Sequence, residues 1–471
     1  MVDRLKTYKY KDYCDKISFI CMCALMADCC ISGAGRIFMI GSISLRMVLL
    51  ALTIMTAIPR LIDQRLSLVK NKVFWVFVTW LLWIGVCTIV GFVRGNNLGV
   101  MLSDLKGFAY FSLLPVAIVL LYNRERIRTL MKVMMYASGA FGGIILVHLY
   151  LYVSATELFM VLYSWGLDCG FSAIARVTDT IPRLFFRSTN YLMVGCAFAV
   201  YFQVTRKKIQ IHLCVLTAIN LICLLLSYTR SVYLAVIVAV VVLFVGIVLT
   251  TGRRFIRKSA IHIGVSILAF CIGMSAISLA TKTNYVSYAI LRTVSSFTTG
   301  TTEPAEPPTE PSEPSTEPAE PPTEPTEPGE EDIYQQQTAQ SDALRKRIVD
   351  GLMEFIRKSP IVGNGLGTSL DWRENTEFFY LELIAKMGVI GFALFMSPML
   401  LCVLMLFKGT GQKKENRVAS VAWLSVLFAF MVFSWFNPYM NASLGVLYYC
   451  CAVAAVNENM RDEETKECNM I

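Results

Sequence analysis

A set of arginines and one glutamate stand out as groups able to do chemistry: Arg176, Arg183, Arg187, Arg230, Arg292, Arg345, Arg347 and Glu377. They fall between apolar runs or at their ends. A guanidinium keeps its charge when partly desolvated and meets phosphate oxygens through two parallel N–H bonds. Arginines gathered on one membrane face therefore suit an anionic, phosphate-bearing ligand. A glutamate at the membrane edge can serve as a general acid or base. Nothing has metal-ligand spacing, and the 3 histidines (His148, His212 and His262) lie in separate apolar runs. No metal or cofactor is expected, which leaves the arginines as the available cations.

The elements that must position these groups are membrane helices. Of 471 residues, 55% are apolar and only 16% charged, and the mean hydropathy is +0.56. A soluble chain of this length needs far more charge to cover its surface. The apolar residues come in blocks of about 17–25, the length that crosses a hydrocarbon core. The fold class expected is an all-α integral membrane protein of about 12 transmembrane helices with one large extracytoplasmic loop. Spans are placed near 17–34, 37–58, 73–93, 107–122, 134–154, 188–205, 211–228, 231–250, 259–280, 380–407, 418–436 and 442–456. The first follows Lys6, Lys9, Lys11 and Lys16, contains Asp28 and lacks a clear cleavage site, so it is read as retained. Asp28 and Arg46, in the first and second spans, are expected to pair across helices.

Orientation follows from the basic loops. Arg60 to Lys72, Arg124 to Lys132, Arg206 to Lys208, Arg253 to Lys258 and Lys408 to Arg417 all fall on the side of the basic N-terminus. Both termini are then cytoplasmic and the protein is a multi-pass protein of the plasma membrane. The net charge of +9 sits in these short loops, which argues against a nucleic-acid partner. The domains read as a membrane domain at 1–280, an extracytoplasmic loop at 281–379, a second membrane part at 380–456 and a cytoplasmic tail at 457–471. Most of the 15 cysteines lie in apolar runs and read as structural thiols; Cys169 stands alone in a second outer loop at about 155–187.

Inside the large loop, residues 302–331 repeat Glu-Pro with small residues between, which offers nothing to bury and reads as an extended spacer. Residues 341–358 have helical periodicity, with Leu344, Ile348, Leu352 and Phe355 on one stripe, and read as a basic amphipathic helix on the outer membrane surface. Ser359-Pro360 ends it, and Gly363, Gly365 and Gly367 then call for a tight turn with close backbone approach.

The segment from Arg345 to Phe392 resembles the signature region of the O-antigen ligase and polymerase superfamily of bacterial membrane glycosyltransferases. The matching features are Arg345 opening a helix, Pro360, the turn Gly363-Asn364-Gly365-Leu366-Gly367, a polar position at Glu377, Tyr380-Leu381-Glu382-Leu383, and Gly388-Val389-Ile390-Gly391. A second element, LLLSYTRSVYLAVIVAVVV at 224–242, resembles the family's Ser-x-Ser/Thr-Arg turn and carries Arg230. The resemblance implies transfer of a glycan from a polyprenyl pyrophosphate to a hydroxyl, with membrane lipid and other membrane proteins of polysaccharide assembly as candidate partners. It implies Glu377, Arg230 and Arg345 as catalytic groups. Arg347, Arg292, Arg187, Arg183, Gly363, Gly365, Gly367 and Tyr380 are then candidates for substrate binding. Ligases of the family usually carry His-Asn where this chain has Glu377-Phe378, which points to a polymerase, with an en bloc ligase as runner-up. A transporter or flippase fits less well: its polar groups belong near mid-membrane and often recur in two repeated halves, and no internal repeat is visible.

Overall fold

The computed structural model describes residues 2–33, 35, 37–41, 43–172, 182–250, 253–290, 330–373, 376–409 and 412–461. The described chain is helical throughout, apart from one two-stranded hairpin. Its helices are α1 (Val2–Ile31), α2 (Leu45–Asp63), α3 (Arg65–Val69), α4 (Lys72–Val93), α5 (Leu98–Ala109), α6 (Leu113–Leu120), α7 (Arg124–Ser154), α8 (Thr156–Asp168), α9 (Tyr191–Thr205), α10 (Ile211–Leu226), α11 (Arg230–Thr250), α12 (Arg253–Thr281), α13 (described over 285–290), α14 (Glu330–Lys358), α15 (Phe379–Lys408), α16 (Lys414–Ser434) and α17 (Ser443–Asn459). Among the described residues, 8 helical stretches are long and apolar enough to cross a membrane, and α9 and α10 are shorter apolar helices. The protein is an all-α membrane protein.

Every expected span coincides with helix, but several boundaries move for local reasons. The second span does not begin at 37: Met39–Ile40 pairs antiparallel with Ile43–Ser44, and the Ser44 hydroxyl then caps α2 by accepting from the Met47 amide. The fourth begins at Leu98, where the Asn97 side chain accepts from the Gly99 amide at 2.8 Å, and it is broken by a 3₁₀ turn at Tyr110–Ser112. The basic stretch from Arg124 is helix rather than loop, because Asn123 caps α7 by accepting from the Arg126 amide at 2.8 Å. The outer loop at 155–187 contains α8. The amphipathic helix is longer than 341–358 and starts at Glu330; residues 302–329 of the spacer lie outside the described residues. Ile348 and Leu352 on its apolar stripe pack against Leu370 and Ala385 of the protein itself, while Leu344 is exposed. The described cysteines are all free thiols, Cys169 among them.

The polar contacts sort into two ends. At one end the basic segments meet acids and carbonyls. Lys11 pairs with Asp63 at 2.8 Å, Asp15 takes both Arg60 and Arg126, Arg128 reaches Glu415 at 2.5 Å, and Lys258 donates to the Val204 carbonyl at 3.4 Å. The candidate functional groups gather at the other. Arg46 at the start of α2 and Asp28 near the end of α1 do pair, at 2.8 Å and almost wholly buried. Arg46 also donates to the Gly33 carbonyl at 2.9 Å and to Ser443 at 2.9 Å. Its charge is thus compensated and its donors engaged, as a buried ion must be, which supports a structural role.

Candidate functional site

The site is built on a broken helix. Gly388 in α15 has φ 69 and ψ −177, a conformation that interrupts the helix and leaves backbone groups without intrahelical partners. Irregular backbone at membrane depth survives only where protein satisfies it. Here the turn at 360–366 does so. Asn364 N donates to the Ala385 carbonyl and Gly365 N to the Lys386 carbonyl, both at 2.9 Å; Val389 N donates to the Pro360 carbonyl at 2.9 Å; Trp83 Nε1 donates to the Met387 carbonyl at 3.0 Å. The same turn is tied to α4 by Leu366 N donating to the Cys87 carbonyl at 2.9 Å. Gly365 has φ +89, and a Cβ there would stand 2.2 Å from Gly91 N. Glycine is needed for both the conformation and the approach. Asn96 Nδ2 laces the turn further, reaching the Asn364 and Leu366 carbonyls at 3.1 and 2.9 Å, and Arg94 reaches Asn364 Oδ1 at 3.0 Å.

Below the turn lies a buried charged network. Lys386 Nζ stands 2.7 Å from Asp104 Oδ1 on α5 and 2.6 Å from Glu382 Oε1 one helical turn before it. Asp104 Oδ2 accepts from Gly367 N at 3.0 Å, and Glu382 Oε2 accepts from the Thr376 hydroxyl at 2.7 Å. Nine-tenths of the Lys386 side chain is hidden from solvent. One ammonium between two carboxylates, with the remaining acceptors filled by an amide and a hydroxyl, meets the conditions under which charge persists in a low dielectric.

Above the turn, at the exposed rim, Glu377 Oε2 lies 3.3 Å from Arg345 Nε and Glu377 Oε1 lies 3.3 Å from an Arg373 terminal nitrogen. These arginines are positioned by packing. Ile348 and Leu352 of α14 enclose Leu370 together with Ala385, and Arg373 follows Leu370 in a turn closed by Arg373 N donating to the Leu370 carbonyl at 3.0 Å. Arg347 lies 4.6 Å above the Trp372 ring, a cation–π contact.

Arg230 opens α11 and is exposed, with no side-chain partner among the described residues. The turn before it holds Tyr228 at φ 45, and Arg183 braces it, donating to the Ser227 carbonyl at 3.4 Å and to the Thr229 hydroxyl at 3.3 Å. The stretch 431–437 joins the two arginine groups at one end of the bundle. Tyr380, just past Glu377, donates to the Met431 carbonyl at 2.8 Å and packs 5.5 Å from Trp435, and Asn437 donates to Ser231 at 3.1 Å.

The structure thus brings Arg345 onto Glu377, and Arg183 to the Arg230 turn. Arg187 is exposed, its amide bonded to the Phe171 carbonyl at 3.1 Å. Arg292 and Arg176 lie outside the described residues. The amides of Gly363, Gly365 and Gly367 all donate within the protein, to Ser359, Lys386 and Asp104, so these glycines scaffold the site. Tyr380 is buried with its hydroxyl engaged by Met431, so it anchors α15 to α16. Sequence reasoning passes over Arg373, Asp104, Glu382 and Lys386 as site residues. For Glu382 and Lys386 the signal exists: opposite charges four residues apart inside an expected span are rarely idle. Asp104 and Arg373 carry no such local sign.

A protein-family model described as O-antigen ligase matches residues 213–396. That stretch contains the Arg230 turn, Arg345, the glycine turn, Glu377 and the break in α15. No curated protein matches the chain. Over residues 213–396, which carry Arg230, Arg345, Arg373 and the turn that holds the broken helix, the chain is similar to the O-antigen ligase family.

Proposed function

We propose that the protein is a polymerase that joins polyprenyl-pyrophosphate-linked oligosaccharide repeat units into a capsular, exopolysaccharide or wall polysaccharide at the outer face of the plasma membrane. The similarity of residues 213–396 to the O-antigen ligase family supports the coarser statement, ligase- or polymerase-like glycosyl transfer on lipid-linked glycans in a membrane. The observation that carries the finer reading is the meeting of Arg345 and Arg373 on Glu377, at the end of the bundle opposite the basic loops. An acid stands there in place of the histidine of the ligases.

In this reading Arg230 and Arg345 hold the donor pyrophosphate. The acceptor oxygen bonds to the anomeric carbon and its proton passes to Glu377. The old C–O bond breaks with its electron pair leaving on the pyrophosphate, whose growing charge the guanidiniums neutralise. Loss of one such arginine removes roughly 3 kcal/mol of transition-state stabilisation, about 10²-fold in rate. Arg230→Ala and Arg345→Ala are expected to shorten the polymer sharply on gels at matched expression, with Lys restoring only part because an ammonium lacks the bidentate fork. Wild-type chain length in both variants would remove the site. Glu377→Gln is expected to lower turnover at saturating donor, since the amide takes no proton.

The orientation proposed has twelve spans and both termini cytoplasmic, which puts this end outside. A topology reporter fused at Gly329 is expected to be active only as an extracytoplasmic fusion; activity confined to the cytoplasm would invert the assignment.

A further inference from the structure

The reaction proposed above meets an obstacle in the geometry of Glu377. Each of its oxygens faces a different guanidinium, Oε2 that of Arg345 and Oε1 that of Arg373, both at 3.3 Å. An acceptor hydroxyl approaching this carboxylate finds both oxygens engaged. Yet the pairs are long. Charge-assisted N–H···O bonds usually measure about 2.7–2.9 Å, and the three side chains are 31–48% exposed. Exposed pairs of this kind hold weakly. The arginines do not depend on the glutamate for their place, because the Ile348, Leu352, Leu370 and Ala385 cluster fixes the helix and turn that bear them. Glu377 itself lies in the irregular stretch ahead of α15. Two anchored guanidiniums converging on one loosely held carboxylate make an anion site filled by the protein's own acid.

We infer that Glu377 is a place-holder for the donor's diphosphate, which displaces it from Arg345 and Arg373 and so releases the carboxylate to receive the acceptor proton. The inference rests on the glycosyl-transfer reading above and adds an order to it: the donor seats first, and only then is a base available. A diphosphate has more negative charge and more oxygens than a carboxylate, and it can take both guanidiniums bidentately where Glu377 takes each through one contact. Arg373 thereby becomes a donor-binding residue beside Arg345.

The test uses the full chain in lipid nanodiscs, with inorganic pyrophosphate as the probe. Removing two weak competing pairs is expected to tighten pyrophosphate binding by about tenfold in Glu377→Gln. Glu377→Ala should show the same gain, while turnover with lipid-linked donor falls in both. Arg373→Ala is expected to weaken binding, and to do so also in the Glu377→Gln background. Unchanged or weaker binding in both Glu377 variants, with the wild type still binding and Arg345→Ala still losing affinity, would overturn the place-holder while leaving the donor site standing. Failure of the wild type and of Glu377→Gln alike to bind pyrophosphate would overturn the donor site, and the inference with it.

Discussion

Lys386→Met is expected to cost the protein about 3–5 kcal/mol, because it leaves two buried carboxylates facing each other without a counter-ion. Asp104 and Glu382 stand 2.7 and 2.6 Å from the ammonium and are at least four-fifths hidden from solvent. Methionine fills the space of the lysine stem, so the loss isolates charge from volume. The check is thermal unfolding in detergent, with the folded fraction followed by size exclusion. Adding Asp104→Asn and Glu382→Gln to Lys386→Met is expected to recover most of the loss, since a network neutral throughout no longer holds an uncompensated charge. A wild-type melting profile for Lys386→Met would mean that the network contributes little to holding α5 against α15.

A second large effect is expected at Gly365. With φ +89, an alanine there is strained, and its Cβ would lie 2.2 Å from Gly91 N and 2.4 Å from Gly91 Cα, both backbone atoms that cannot turn aside. The turn must lift off α4. That movement unmakes the bond from Leu366 N to the Cys87 carbonyl and loosens the one from Gly365 N to the Lys386 carbonyl. The exposed backbone groups of the broken helix then face an apolar surrounding. The combined cost is expected to exceed about 4 kcal/mol, at the severe end for a single substitution. Folded yield should collapse, and with it whatever glycosyl transfer the protein performs. Gly85, in the same α4 and with open space around its Cβ position, is the control: Gly85→Ala is expected to be neutral or mildly stabilising. Equal tolerance at both positions would refute the close-approach reading of the turn.

The helical membrane architecture was legible because apolar runs of spanning length need no tertiary context to be recognised. The starts of α2, α5 and α7 were harder, since each is set by a cap, at Ser44, Asn97 and Asn123, that competes with a smooth hydropathy profile. The expected role of the glycines at 363–367 as a close-approach turn holds. What they approach could not be read, because Gly91 and Gly388 lie in other helices and nothing local links them. The pairing of Arg345 with Glu377 joins two residues expected to act together. Arg373 and Asp104 escaped because their importance comes wholly from distant partners: Arg373 from Glu377 and the packing of Leu370, Asp104 from Lys386 and Gly367.

The break at Gly388 also has a bearing on biogenesis. Its partners are made in a fixed order: α4 with Gly91 and α5 with Asp104 first, then the turn at 360–367, and α15 with Lys386 last of the four. Until α15 arrives, the nascent chain carries a carboxylate at Asp104 that has no ammonium to meet, and a turn whose amides have no carbonyls to take. The half-made protein is therefore its own least stable form, the species most exposed to membrane quality control. A chain truncated before Lys386 should be degraded rather than accumulate, and α15 acts in synthesis as the piece that closes this network.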